Sequence, residues 1–113
     1  MKVGGVEAVI RLTDPEVVWE PFAAGGRALC GHDELRRYFD DMQRRGVVME
    51  AEAYLFEAVG GSCVLVPGSV RVSVAGGFED HQLHWLYRLH DGRLAHAQSF
   101  TSREAALAAA AVP

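Results

Sequence analysis

The chain has 113 residues, with 11 Lys and Arg against 15 Asp and Glu, so its formal net charge is −4 with neutral histidines. This length predicts a single domain over residues 1–113, and a hydrophobic content of 50% is enough to fill its core, which excludes a disordered chain. The acidic balance also argues against a nucleic-acid partner, because nucleic-acid-binding proteins neutralise phosphates with clustered Lys and Arg.

Neither a secretion signal nor a membrane span is predicted. Glu7 and Arg11 interrupt the start of the chain, and no stretch approaches the roughly 18 apolar residues that cross a bilayer. We therefore expect a cytoplasmic protein with no membrane partner. The two cysteines, Cys30 and Cys63, are too few for a disulfide scaffold or a structural zinc site, and we expect both to be free thiols in the core.

The first third of the chain predicts a short helix and then a strand. Apolar residues at helical spacing over 6–10 indicate a helix of about two turns, which ends before Asp14-Pro15. The β-branched and aromatic run Val17–Glu20 predicts a strand that Pro21 ends, because proline cannot donate to a ladder. A loop is expected at Gly25-Gly26.

A longer helix is predicted from Asp33 to Gly46. Acidic residues in its first turn, basic residues in its last turn and a final glycine all suit the helix dipole and the C-cap. Four apolar residues at spacing i, i+3, i+4, i+7 form one face, which we expect to cover a sheet. These residues are Leu35, Tyr38, Phe39 and Met42.

The second half of the chain predicts four antiparallel strands and a final helix. Turns at Gly60-Gly61, Gly76-Gly77 and Asp91-Gly92 separate the strands. Pro67-Gly68 predicts a bulge or bend within the second strand. The predicted strands are Val48–Val59, Cys63–Val74, Glu79–His90 and Arg93–Phe100.

The last helix is expected to extend to Ala111, with Thr101 as N-cap and Glu104 completing a capping box. Because strands and helices come in runs rather than in alternation, the sequence predicts an α+β fold.

Glu20 is the first candidate for catalysis. It lies between Trp19 and Pro21, where apolar neighbours would raise the pKa of its carboxyl group and suit it to act as a general base or acid. The alternative is an edge-strand glutamate that faces water.

The third long strand alternates between two faces, and the more apolar face carries His81, Trp85 and Tyr87. His81 is therefore a candidate hydrogen-bonding residue of a pocket. His81 and His84 point to opposite faces, and His84 and His90 stand about 20 Å apart on a strand, so no metal site is predicted. His84, His90 and His96 are expected at solvent or interface positions.

Aromatic residues are plentiful and indicate either a plain core or the wall of a ligand pocket. No phosphate-binding glycine loop and no Ser-His-Asp arrangement is present, so no cofactor is predicted. The candidate pocket residues are Trp19, Phe39, Tyr54, Phe56, Trp85, Tyr87 and Phe100.

Four segments together resemble the SnoaL-like polyketide cyclases, within the superfamily of nuclear transport factor 2 and ketosteroid isomerase. They are Asp14–Phe22 (DPEVVWEPF), Gly31–Leu35 (GHDEL), Tyr87–Leu94 (YRLHDGRL) and Gln98–Leu107 (QSFTSREAAL). The resemblance implies a cone-shaped, curved antiparallel sheet wrapped around a long helix, a cystatin-like roll. It also implies a hydrophobic pocket and a homodimer, whereas function does not follow from the fold.

The resemblance places Glu20 where ketosteroid isomerase carries its general base, just before a proline. The oxyanion-binding aspartate of that enzyme falls on His84 or Trp85, so it does not carry over. The long first helix of the family, with its tyrosine, is expected to be absent, which would expose apolar surface unless a partner subunit or another element covers it.

Three functional hypotheses follow. The first is an isomerase, cyclase or hydrolase that acts without a cofactor on a small apolar carbonyl compound, with Glu20 as base and His81 or Tyr87 donating a hydrogen bond. The second is a binding or dimerisation module without chemistry. The third is a subunit whose exposed sheet binds another protein.

Overall fold

The computed structural model describes residues 6–21 and 27–112, and within them it contains three helices and seven strands. In chain order these are α1 (Val6–Leu12), β1 (Thr13–Trp19), β2 (Leu29–Cys30), α2 (Gly31–Arg44), β3 (Val48–Ala53), β4 (Glu57–Val59), β5 (Cys63–Val74), β6 (Gly77–His90), β7 (Arg93–Phe100) and α3 (Arg103–Ala110). The predicted α+β fold with a curved sheet is confirmed. The loop expected at Gly25-Gly26 lies outside the described residues.

The strands form one sheet in the order β2-β1-β7-β6-β5-β3, and β4 pairs with the other end of β5. The predicted antiparallel hairpins β5-β6 and β6-β7 are confirmed. The turn between the last two strands is Asp91-Gly92, where both residues adopt positive φ, as a tight two-residue turn requires. By contrast, β1 runs parallel to β7, which adds a strand from the start of the chain beside the last one.

The predicted long helix is confirmed as α2, which packs on the side of the sheet near β1 and β2. Its buried Leu35 belongs to a core cluster with Ile10, Val17 and Leu29. Helix α3 packs against β5, β6 and β7. Register places Leu86 of β6 beside Leu65 of β5, and both are fully buried. Leu86 shares a face of β6 with Arg88, which donates a hydrogen bond to Ala109 O of α3, so this second apolar layer lies on the α3 side of the sheet.

The predicted strand Val48–Val59 is two strands, and the prediction of one continuous element is wrong. Pairing with β5 stops after Ala53 and resumes at Glu57. The interruption lies opposite Pro67, whose carbonyl accepts a hydrogen bond from Tyr54 N at 2.9 Å. Because proline has no N–H to return a bond, the ladder loses a rung there. Register between β5 and β6 continues without a shift, whereas on the other side of β5 three residues, 54–56, lie opposite two, 66–67. The irregularity predicted at Pro67-Gly68 therefore lies in the neighbouring strand.

The cap of the last helix also differs from its prediction. Ser102, rather than Thr101, is the N-cap, and its hydroxyl accepts a hydrogen bond from Ala105 N at 3.1 Å. The helix begins one residue later than expected, so the three-residue spacing of a cap joins Ser102 to Ala105 instead of Thr101 to Glu104.

Both cysteines are free, but only Cys63 is buried. Cys30 is exposed because it alternates with buried Leu29 in β2, a two-residue strand at the edge of the sheet. The prediction of two core thiols is therefore wrong for Cys30. No helix within the described residues is long and apolar enough to span a membrane.

Candidate functional site

A cavity of about 840 Å³ lies between α2 and the face of the sheet that α2 covers. Five strands contribute to its walls, because the side chains of β1, β3, β5, β6 and β7 alternate toward it. Aromatic and aliphatic groups form most of the surface, among them Trp19, Phe39, Met42, Val66, Leu83 and Trp85.

Strand register explains which side chains share the cavity. Trp85 of β6 pairs with Val66 of β5 and with Ser99 of β7, and paired residues of neighbouring strands project to the same face. Two residues farther along β6, Tyr87 pairs with Ala97, which in turn pairs with Trp19 of β1. Rows of this kind bring residues that are far apart in sequence to one wall.

Gly68 allows the Trp85 ring to lie against the backbone of β5. A Cβ atom at Gly68 would stand 2.2 Å from the carbonyl oxygen of Glu52 and 2.6 Å from Cζ3 of Trp85. Real Cβ atoms do not approach other atoms so closely, so the missing side chain is what leaves room for the indole at this wall of the cavity.

Aromatic contacts join α2 to the sheet. Phe39 lies edge-on to Trp19, with ring centroids 6.4 Å apart, and edge-on to Tyr38, with centroids 5.4 Å apart. Edge-to-face pairs of this geometry hold the rings in defined orientations. The cavity wall formed by α2 and β1 is therefore held by packing on either side of Phe39.

Glu20 follows the end of β1 and borders the cavity. Its backbone N–H donates to Ala97 O at 2.7 Å, and its Oε2 lies 2.5 Å from Nε2 of His96. The His96 tautomer that carries hydrogen on Nε2 donates to the carboxylate. His96 pairs with Arg88, on the face opposite to Tyr87, so this contact ties the Glu20 carboxylate to a residue of the α3 side.

His81 lies outside the residues that line the cavity. It is on the same strand face as Trp85 but nearer the β5-β6 turn, where its Nε2 lies 3.4 Å from Oε2 of Glu79. Its side chain is 33% exposed. The structure therefore does not bring His81 together with Glu20, the other predicted catalytic residue.

The seven predicted pocket residues separate into two groups. Tyr54 and Phe100 do not line the cavity. Tyr54 is exposed and its hydroxyl donates to Oε1 of Gln82, on the outer face, while Phe100 pairs with His84, whose alternation with Trp85 places it on that same outer face. The residues that do line the cavity are Trp19, Phe39, Phe56, Trp85 and Tyr87.

Two tyrosines near the cavity have altered acidity. Burial raises the pKa of Tyr87 to about 12. Burial also raises the pKa of Tyr38, although the charges of Arg45 and Arg27 act in the opposite direction. Both side chains are therefore neutral phenols at physiological pH, and each hydroxyl can donate a hydrogen bond.

The charged residues that border the cavity are all acidic within the described part of the chain. They are Glu20, Asp40 and Glu50, whereas no Lys, Arg or His among the described residues lines it. No group of three or more His, Cys, Asp or Glu in residues 6–21 and 27–112 is arranged to hold a metal ion.

His96 is the site residue that sequence analysis missed. It was expected at a solvent or interface position, yet it is half-buried and contacts Glu20 across 76 positions of sequence. The contact depends on the parallel pairing of β1 with β7, and no local pattern in the sequence predicts which strand lies beside β1. Alternation along the last strand could have placed His96 on one face, but not beside a given partner.

Comparison with known proteins gives structural but not sequence neighbours. No protein-family model and no curated protein matches the sequence significantly. A nuclear-transport-factor-2-like protein of unknown function from Burkholderia pseudomallei has a TM-score of 0.73 at 18% identity, over 95% of this chain and 86% of that one. A protein assigned as a SnoaL-like polyketide cyclase, from Jannaschia sp. CCS1, has a TM-score of 0.66 at 18% identity, over 98% and 81% of the two chains.

A third neighbour is an LEH-like epoxide hydrolase from M. tuberculosis, with a TM-score of 0.70 at 18% identity, over 83% of this chain and 68% of that one. At these identities the likeness establishes the fold alone. The chain has the nuclear transport factor 2-like fold, and the fold that the sequence resemblance implied is confirmed.

Proposed function

We propose that the protein binds a small, largely apolar molecule in the cavity beneath α2. The observation that carries this proposal is the cavity itself, about 840 Å³ with mostly aromatic and aliphatic walls. Sites for small molecules are typically concave, mostly apolar and of about 300–1,000 Å³. Neighbours assigned as a polyketide cyclase and an epoxide hydrolase on the same fold add support.

Filling the cavity tests this function. Ser99 projects into it beside Trp85, so Ser99→Phe should occupy part of the volume. Ser69→Phe is the matched control, because Ser69 lies on the outer face beside Gln82. Nile red is a neutral dye that fluoresces in apolar surroundings. It should bind the parent and Ser69→Phe with similar affinity, and it should bind Ser99→Phe at least tenfold more weakly. Equal binding by all three proteins would contradict the proposal.

A second candidate function is proton transfer, and the position of Glu20 at the border of the cavity favours it. Glu20 Oε2 lies 2.5 Å from Nε2 of His96, which is on the face of the sheet opposite to Tyr87, so the carboxylate must turn from His96 toward the cavity to act on a ligand there. In this scheme Glu20 removes a proton from the carbon beside a ligand carbonyl, and the developing negative charge on the oxygen is stabilised by a donor. Tyr87 lines the cavity and His81 does not, so we assign the donor role to Tyr87.

Exchange of the methyl protons of 2-acetonaphthone in D₂O, followed by NMR, tests this chemistry. The parent should accelerate the exchange, and Glu20→Gln should abolish the acceleration while Nile red still binds. Glu16→Gln, at an exposed position of β1, the strand that Glu20 follows, is the control and should behave as the parent. If Glu20→Gln accelerates exchange as well as the parent, the catalytic candidate fails and the binding function stands.

We also propose a cytoplasmic homodimer. Large apolar side chains that remain exposed on the isolated chain support the dimer, notably Phe56 at 72% and Phe78 at 58%. Native mass spectrometry should find about twice the 12.3 kDa chain mass. A spectrum with only the monomer at micromolar concentration would contradict the dimer.

A further inference from the structure

Three consecutive apolar side chains are exposed between β3 and β4. Tyr54 is 56% exposed, Leu55 55% and Phe56 72%. They lie at the edge of the sheet, and within the described residues their backbone bonds to β5 only through Tyr54 N and Pro67 O. A continuous run of large exposed apolar side chains is typical of a surface that another molecule covers.

This segment extends around the edge of the sheet from one face to the other. The Tyr54 hydroxyl donates to Gln82 Oε1 at 3.3 Å on the outer face, the face opposite to the cavity, whereas Phe56 lines the cavity. Leu55 lies between them and does not line the cavity. Because the Phe56 ring is part of the cavity wall and is also mostly exposed, it stands at an opening of the cavity.

The outer face carries another exposed aromatic residue, Phe78, but its surroundings oppose self-association. Register places Glu50, Arg71 and Asp80 in one row across three strands, with Glu52 beside them. Arg71 already binds Asp80 at 2.7 Å and lies over the Phe78 ring. Two copies that met on this face would each bring three carboxylates and one paired guanidinium, so like charges would face each other.

Residues 53–56, by contrast, carry no charge. In an antiparallel arrangement around a two-fold axis at Leu55, Tyr54 of each copy would meet Phe56 of the other. Glu52 would then approach the end of the other copy at which Arg103 binds Glu57 at 2.8 Å. An apolar centre with complementary charges at its rim is typical of an interface between proteins, and a two-fold axis allows identical surfaces to form it.

We propose that two copies of the chain associate through residues 54–56 around a two-fold axis at Leu55, and that this contact covers the opening of the cavity at Phe56. The inference rests on the homodimer and the binding function proposed above. It adds the surface that forms the dimer and a coupling between that surface and the cavity. Since dimer and ligand both involve Phe56, each should strengthen the other by the same factor.

Leu55→Arg tests the interface, because it places a charge at the axis without changing a residue that lines the cavity. Phe78→Arg is the matched control, since Phe78 is exposed to nearly the same extent, 58% against 55%. Sedimentation equilibrium should show self-association weakened about 30-fold by Leu55→Arg, the loss expected for a central contact, and unchanged by Phe78→Arg. Nile red binding should weaken about fivefold in Leu55→Arg and should be unchanged in Phe78→Arg.

Disulfide crosslinking tests the same contact without introducing a charge. The background is Cys30→Ser, which removes the exposed native thiol, while Cys63 is buried. Leu55→Cys should form a disulfide-linked dimer on oxidation with copper phenanthroline, because the axis brings two copies of this position within the roughly 6 Å between Cα atoms that a disulfide spans. Phe78→Cys, in the same background, should stay uncrosslinked on a non-reducing gel.

Several results would overturn the inference. A dimer that Phe78→Arg breaks and Leu55→Arg leaves intact would move the interface to the outer face, and crosslinking of Phe78→Cys but not of Leu55→Cys would do the same. Equal Nile red affinity of monomer and dimer would contradict the coupling. A parent that is always monomeric would remove the proposed homodimer as well. Failure of the parent to bind Nile red would remove the binding function and the coupling, whereas crosslinking at position 55 would still establish the interface.

Discussion

Gly68 shows how one missing side chain shapes the cavity. Its Cα faces the backbone of β3 and the indole of Trp85 at distances that exclude a Cβ. Pro67-Gly68 predicted a bulge or bend within its strand, and nothing in the sequence predicted that Gly68 contacts Trp85. The contact with Trp85 became visible only with the register of β5 against β6, which sets Gly68 opposite Leu83 and next to the Val66–Trp85 pair.

Gly68→Ala should destabilise the protein by about 1–3 kcal/mol, because the new methyl group forces either the Glu52 carbonyl or the Trp85 ring to move. Urea denaturation followed by circular dichroism measures the change. Gly61→Ala is the control, since a Cβ there meets nothing within 4 Å, and its stability should be unchanged or slightly higher. Equal stability of both variants would show that the β5 wall adapts without strain.

The contact between Glu20 and His96 shows which features of a single residue can be predicted from its neighbours in sequence. The sequence singled out Glu20 from its apolar neighbours and from the proline that follows it, and these features are local. Its partner His96 is invisible locally, because the two residues meet only where β1 lies parallel to β7. A candidate catalytic acid can therefore be predicted from sequence, whereas the residue that orients it can be identified only when the order of the strands in the sheet is known.

Regular spacing of apolar residues was the most reliable basis for predicting the helices and strands. The bounds of β5 and β7 coincide with their predictions, since turns delimit each strand and each keeps one period throughout. The prediction of one strand from Val48 to Val59 was wrong because the residue that interrupts its pairing lies in another strand. Pro67 of β5 removes the donor that the middle of this strand would need.

Ser102→Ala should destabilise α3, because the Ser102 hydroxyl accepts a hydrogen bond from Ala105 N at the first turn. We expect a loss of about 1 kcal/mol in the free energy of unfolding, the usual cost of removing an N-cap. Thr101→Ala is the control and should have less than half of that effect, since Thr101 precedes the cap. A larger loss for Thr101→Ala would restore the cap that the sequence predicted.

The molecule as a whole is built from two apolar layers on opposite faces of one sheet. One layer centres on Leu35 of α2, with Val17 of β1, and the other on Leu65 and Leu86 beneath α3. The sheet is common to both layers, so loss of either should unfold the other. The cavity occupies the part of the α2 side that this packing leaves open.

Leu35→Ala should cost about 2–5 kcal/mol, the range for emptying a fully buried leucine position. Tryptophan fluorescence reports on Trp19 and Trp85 and circular dichroism on the whole sheet, and we expect their urea transitions to coincide. Leu12→Ala, at a side chain that is 69% exposed, should change stability by less than about 0.5 kcal/mol. Separate transitions for the two probes would mean that the two layers unfold independently.

The α+β class, the long helix, the antiparallel hairpins and the aromatic character of one strand face could be predicted from the sequence, because each depends on neighbours within a few residues. The position of β1 beside β7, the contact of His96 with Glu20 and the place of His81 outside the cavity could be recognised only in the three-dimensional structure. These facts depend on register and strand order, which follow from packing of the whole sheet against two helices. The volume and the charge of the cavity depend on the same packing, which makes neighbours of residues as distant in sequence as Glu20 and His96, 76 positions apart.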